Sequence, residues 1–297
     1  MFHSFLIRNL GAYYMVLGSF YFALTGAFAK ALSSDMSSVE VAFFRNIVGL
    51  ILILLAIYKN PPKNRGGRGM LLFMRGFIGS VSMLAFFYNI ANIGLAESFT
   101  FAKTAPMFLA LFGVLFFKEK LSFEAWIGIF LGFLGIVLIM QPNLGFSKYD
   151  FMGLFNGFLA AVAYMSVHEL RRAYDTKTIV LSFMLSGTII PLVCMIAAEF
   201  FAIPSYLDFM FAKFTMPCAK MWIFIVLMGI GGILFQTYMT KAYAASKHAG
   251  VVAAVGYCDI IFTLILGLFM GDSLPNLMAF LGIVLVVVSG IMVVLKE

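Results

Sequence analysis

Ten apolar stretches run along the chain, and its charges fall almost wholly in the polar joints between them. Each stretch is close to the roughly 20 residues that cross a hydrocarbon core as a helix. The pattern predicts helices at 11–31, 39–58, 70–92, 97–117, 124–141, 151–170, 178–201, 221–243, 250–271 and 277–295. The runs are continuous, without the short alternation of a transmembrane β-barrel. The expected fold class is therefore an all-α integral membrane bundle of ten transmembrane helices.

Composition agrees with that reading. The 297 residues are 63% hydrophobic and 11% charged, more apolar surface than a water-soluble fold can hide. The net charge of +7 reflects where the bases sit. With both termini inside, the inner joints carry Arg8, Lys59, Lys63, Arg65, Arg68, Lys118, Lys120, Arg171, Arg172, Lys177, Lys241, Lys247 and Lys296, and the outer joints carry Lys30, Lys148, Lys213 and Lys220. That bias follows the positive-inside rule and predicts cytoplasmic N- and C-termini. No dense basic run with interleaved aromatics points to nucleic acid. Cys194, Cys218 and Cys258 are too few and too scattered for a disulfide framework or zinc site. No cleavable signal peptide is expected. The longest joint, 202–220, becomes a structured outer loop.

The chain also repeats itself. Residues 104–121 and 255–274 each run as an apolar helix that ends in an acid, Glu119 or Asp272, before a glycine-bearing helix. Five helices per copy is an odd number, so the second copy enters the membrane inverted. Residues 1–141 and 142–297 then form two inverted five-helix repeats, which places a shared site near the bilayer midplane.

Phe43-Phe44-Arg45, Arg75-Gly76-Phe77-Ile78-Gly79, Phe86-Phe87-Tyr88-Asn89-Ile90-Ala91, and Pro106 followed by Glu119 and a glycine-rich helix resemble the EamA-type members of the drug/metabolite transporter superfamily over nearly the whole chain. The second copy departs from that pattern at Asp259, where the family often has proline. The resemblance implies a ten-helix carrier of small organic metabolites in a cell inner membrane, without a cofactor.

Four ionisable residues fall well inside the predicted spans: Arg45, Arg75, Lys103 and Asp259. Each costs about 2.5–3.5 kcal/mol at a helix centre on insertion scales, so each needs a partner, water or a route to the interface. Asp259 is too short to reach the interface; it either binds a cationic group or carries a coupling proton, or it is a neutral or ion-paired packing acid. Neighbouring Tyr257 adds a hydroxyl. Arg45 either holds a carboxylate or phosphate by its planar fork, pairs with Glu40 or Glu97, or snorkels outward. Lys103 faces the same choice, or reaches headgroups. Arg75, nearer the basic side, is expected to snorkel to inner-leaflet phosphates. Tyr88 with Asn92, Gln236 with Thr240 and Tyr243, and Tyr164 with His168 form stripes that either line a polar cavity or hydrogen-bond between helices. Gly128 with Gly132, and Gly267 with Gly271, are small faces for packing in the bundle or a homodimer seam.

No phosphate loop, H-E-x-x-H or C-x-x-C motif appears. The sequence therefore reads as a secondary transporter, not an enzyme, whose partners are the lipid bilayer and a small-molecule substrate. Mixed charges in the spans suggest a polar or zwitterionic metabolite, amino-acid-like or S-adenosylmethionine-like. Expected substrate contacts are Asp259, Tyr257, Arg45, Lys103, Tyr88 and Gln236. A carrier or flippase of lipid-linked groups, and an integral-membrane enzyme built around Asp259 and Tyr257, are the alternatives.

Overall fold

A computed structural model of the chain describes residues 10–117, 123–140, 146–245 and 255–295. Arg8, Lys118, Glu119, Lys120, Gln141, Lys247 and Lys296 lie outside the described residues, as do the side chains of His168 and Tyr243. The described residues contain no strand. The helices are α1 (Leu10–Leu32), α2 (Ser38–Lys59), α3 (Gly69–Asn92), α4 (Leu95–Ala102), α5 (Ala105–Phe117), α6 (Phe123–Met140), α7 (Lys148–Leu170), α8 (Thr176–Phe200), α9 (Met221–Ala245), α10 (Cys258–Phe269) and α11 (Leu277–Leu295), with one 3-10 turn at Ser205–Leu207. Six of them, α1, α2, α3, α7, α8 and α9, are long and apolar enough to cross a membrane.

Two predicted spans are not single helices. The stretch 97–117 is split into α4 and α5, with a turn at Lys103 and Thr104. In the stretch 250–271, a turn at Gly256 and Tyr257 precedes α10; residues 246–254 lie outside the described residues. The other spans agree with the hydrophobic pattern to within a few residues.

Helix α1 packs along α9, and α3 along α7; α2 packs on α8, and α6 on α11. Helix α10 leans on α1 and α4, while α4 and α5 lean on α7. The interior is mainly apolar but holds buried polar side chains, and the outside is covered by large apolar ones. Ser19, Asn46, Ser80, Thr100, Thr104 and Asn156 are buried, whereas Ile51, Leu55, Phe130, Val193, Ile196 and Ile223 face outward. An apolar exterior suits a protein whose solvent is hydrocarbon, where buried polar side chains gain by bonding one another and outward apolar ones lose nothing.

Both ends are tied. The end bearing residues 201–220 is called the upper end below. There, capping boxes start α2 and α7: Ser37 with Glu40, and Ser147 with Asp150. Glu40 also accepts from the Thr215 backbone at 2.6 Å, which fastens the long loop to α2. At the lower end Arg68 pairs with Glu169, and Lys177 Nζ donates to the Asn60 carbonyl at 2.6 Å, a cation at the negative end of α2.

The α6–α11 crossing depends on two glycines. A Cβ on Gly135 would lie 2.7 Å from the Gly282 carbonyl oxygen, and one on Gly282 would lie 2.5 Å from that of Gly135. The small faces of this region thus pack within the bundle: Gly132 meets Met107 and Ser289. Gly282→Leu is expected to force α6 and α11 apart and cost about 1–3 kcal/mol, typical of overpacking. Thermal unfolding of the detergent-solubilised protein should show a lower Tm, while Ile223→Leu on the outer surface should leave it unchanged.

Candidate functional site

Pro106 breaks the fourth span. It has no N–H, so the Ala102 carbonyl loses its helical donor, and α4 ends at Ala102. The turn is stitched locally. Thr104 Oγ1 donates to the Phe101 carbonyl at 2.7 Å, and the Lys103 N–H donates to the carbonyls of Phe99 and Thr100. The free carbonyl of Lys103 accepts from the Tyr257 hydroxyl at 3.1 Å. The ninth span turns at Gly256, whose carbonyl accepts from Ser19 Oγ on α1 at 3.4 Å. Each interruption therefore uses hydroxyls to meet backbone groups that hydrocarbon would leave unbonded.

These two turns meet, and their charges meet with them. Lys103 Nζ lies 2.5 Å from Asp259 Oδ2, and the Asp259 side chain is 1% exposed. The contact pairs charges without hydrogen-bond alignment. Lys103 is the C-cap of α4, and Asp259 lies in the first turn of α10. A cation thus sits at the negative end of one half-helix and a carboxylate at the positive end of the other, so both helix dipoles favour the pair. The Tyr257 ring lies beside the ammonium, with Nζ 5.9 Å from its centroid. Lys103 therefore does not run to headgroups, and Asp259 is ion-paired in this state.

Above the pair, Asp272 closes the upper end. Its Oδ2 accepts from the Leu95 N–H at 2.7 Å, at the positive N-terminus of α4. Its Oδ1 lies 3.5 Å from Lys30 Nζ, and the same Nζ donates to the Ile93 carbonyl at 2.8 Å. A cleft of about 260 Å³ lies here, lined in part by Lys30, Asn92, Glu97, Thr263 and Asp272. Thr263, which lines the cleft, stands one turn above Asp259 on α10.

The remaining expected contacts lie elsewhere. Arg45 is 3% exposed. It donates to Asn46 Oδ1 at 2.8 Å and to the Gly232 carbonyl on α9 at 3.2 Å. It pairs with neither Glu40 nor Glu97, because Glu40 is held in the α2 cap and by the outer loop. Arg75 does not snorkel. It is also 3% exposed and stands over the Phe183 ring at 4.9 Å, because α8 closes over it on the side where headgroups were expected. Gln236 is buried one turn along α9 from Gly232. Tyr88 is a loop anchor: its hydroxyl donates to Asp208 Oδ2 at 3.0 Å, and Lys148 pairs with the same carboxylate. Lys103, Asp259 and Tyr257 thus form one centre, Arg45 belongs to another, and Tyr88 to the upper loop. Asp272, which the repeat pattern marks, gives no sign in sequence of its hold on α4.

This is a multi-pass helical membrane protein with a polar centre at interrupted helices and no catalytic constellation among the described residues, the build of a transporter. The family described as EamA-like transporters matches residues 9–141. An uncharacterized transporter of Helicobacter pylori is 34% identical over 96% of this chain and 94% of its own. The chain belongs to the EamA-like transporter family of the drug/metabolite transporter superfamily. The pseudopaline exporter CntI of Pseudomonas aeruginosa is 29% identical over 94% of each chain. An S-adenosylmethionine uptake transporter of Rickettsia bellii is 20% identical over 97% of this chain and 96% of its own.

Asp259→Asn should leave the half-buried Lys103 ammonium without its partner and cost up to about 3–5 kcal/mol, the upper range being that of fully buried pairs. Adding Lys103→Gln should recover at least about 1 kcal/mol of that loss, because the two sites are coupled. A double-mutant cycle by denaturation in mixed SDS–detergent micelles measures the coupling; additive losses would show that the pair carries none.

Proposed function

We propose that the protein is a secondary transporter that moves a small polar or zwitterionic organic metabolite across a cell inner membrane by alternating access. The observation that carries this reading is the meeting of two interrupted helices at the buried Lys103–Asp259 pair. Interrupted helices place charge-seeking helix ends at membrane depth, where carriers bind substrates and coupling ions. A zwitterion has the two charges needed to replace each half of the pair: its ammonium for Asp259 and its carboxylate for Lys103. Exchange of internal partners for substrate lets the ordered centre open without leaving a bare charge in a low-dielectric interior. Asp259 is also the natural carrier of a coupling proton, since a protonated carboxyl releases Lys103 as fully as a substrate cation does.

Two inverted five-helix repeats, residues 1–141 and 142–297, supply the moving parts in this reading. Reciprocal packing supports them: exchange of the halves turns the α1–α9 contact into α7–α3, and returns α2–α8 and α6–α11 to themselves. The lower end, with Lys59, Arg65, Arg68, Arg171, Arg172 and Lys177, is read as cytoplasmic by its basic bias. The scheme serves either direction of transport, and the relatives are named for export and for uptake alike.

Reconstitution into liposomes offered a mixed metabolite pool tests the proposal. Selective lumenal enrichment of amino-acid-like or S-adenosylmethionine-like compounds over protein-free liposomes is expected, with a larger effect under a pH gradient of one sign. Asp259→Asn should abolish the pH effect. No enrichment under either gradient would reject solute transport and bring lipid-linked cargo forward.

A further inference from the structure

A second charged centre lies apart from the ion pair. Arg45 on α2 and Arg75 on α3 converge on one ring, Phe183 of α8, with guanidinium carbons 5.5 Å and 4.9 Å from its centroid. That geometry limits their separation to about 10 Å, a range over which like charges in a low-dielectric interior repel. Both residues are 3% exposed. Among the described residues, no carboxylate lies within ion-pair distance of either. The buried acids are committed elsewhere, Glu40 to the α2 cap and outer loop and Asp259 to Lys103. The Nε of each arginine has no hydrogen-bond partner. Tyr164 of α7 lies within electrostatic reach of both.

The surroundings are shaped around these side chains. A methyl group on Gly79 would collide with the Arg75 guanidinium and lie 3.0 Å from Phe183, and one on Gly232 would lie 2.5 Å from Arg45 Nε. Two permanently charged forks, walled by glycine and aromatic and without a counter-charge among the described residues, are costly in a membrane interior. An anion bound between them removes that cost. A guanidinium can hold a carboxylate or phosphate with two parallel N–H bonds.

We propose that Arg45 and Arg75 form a two-arginine anion site for the doubly anionic part of a ligand, either two carboxylates or one phosphate, with Arg45 held by Asn46 and the Gly232 carbonyl and Arg75 laid on Phe183. Treating that ligand as cargo rests on the transporter reading; the site itself does not. The centre at Lys103 and Asp259 then accounts for the zwitterionic part of the cargo and the arginine pair for an added anionic group, which narrows the proposed class to acidic amino-acid-like metabolites over S-adenosylmethionine-like ones.

Equilibrium binding tests the site without requiring transport. The purified protein in nanodiscs is titrated with succinate, citrate and inorganic phosphate, against chloride at matched ionic strength, and thermal unfolding is followed. At least one of the three should raise Tm above the chloride control. Arg45→Gln and Arg75→Gln should each weaken that effect about tenfold or more, the loss expected of one charged hydrogen-bonding partner. Arg75→Lys, which keeps the charge without the fork, should retain part of it and serves if the glutamine variant does not fold. Arg172→Gln, an exposed arginine at the lower end, should bind as the parent does. Succinate or citrate acting alone assigns a carboxylate ligand, and phosphate acting alone assigns a phosphorylated one. The site is overturned if none of the three exceeds chloride, or if the Arg45 and Arg75 variants respond as the parent does. Anion binding without transport in liposomes would reject the transporter reading and leave the site standing; transport without any anion effect would do the reverse.

Discussion

The rest of the structure is organised around a buried carboxylate and a half-buried cation that meet because two helices stop where they do. A proline ends α4 early, and a glycine turn delays α10. The helix ends so created would carry unsatisfied backbone groups and partial charges at a depth where no water is present to meet them. Lys103 and Asp259 answer those partial charges and answer each other. Neither residue would be tolerable alone, and neither half-helix would be well terminated without its charge. The hydroxyls of Thr104, Tyr257 and Ser19 then complete the backbone bonding of both turns.

The neighbouring elements place and limit this centre. Asp272 caps α4 from the far side of the cleft and joins α1 to the end of α10 through Lys30, so the upper ends of three helices are tied by one carboxylate. The α6–α11 crossing, by contrast, is closed by backbone contact at Gly135 and Gly282 and has no charge to exchange. In the proposed cycle the first kind of contact opens and reforms, and the second holds. Arg45 and Arg75 lie between these regimes, deeply buried yet short of partners, which is why an outside anion is the natural completion of their surroundings.

Much of this is legible in the sequence. Hydrophobic runs locate the long helices because hydrocarbon demands them, and the rarity of charge inside the runs singles out Arg45, Arg75, Lys103 and Asp259. The EamA resemblance is borne out by the family match. What the sequence conceals is partnership. Lys103 and Asp259 are far apart in the chain, and only the crossing of α4 with α10 joins them. Arg75 reads as a snorkelling residue because its depth suggests a route to headgroups; α8 blocks that route with Phe183. Tyr88 reads as a cavity residue because its stripe is polar, yet its hydroxyl is spent on Asp208 of the long loop. The fourth span reads as one helix because apolar residues resume at once after Lys103, Thr104 and Pro106, over a length that fits one membrane crossing.

The central claim is that the interrupted helices move relative to their surroundings, with the Asp272 contacts as the upper closure. The most direct measurement is the distance distribution between spin labels at Ser34→Cys and Ser273→Cys, exposed positions beside that closure, in nanodiscs and in a background lacking Cys194, Cys218 and Cys258. The account predicts two populations by double electron–electron resonance, with the longer one enriched when Asp272→Asn removes the tie. A single distribution that Asp272→Asn leaves unchanged would contradict it.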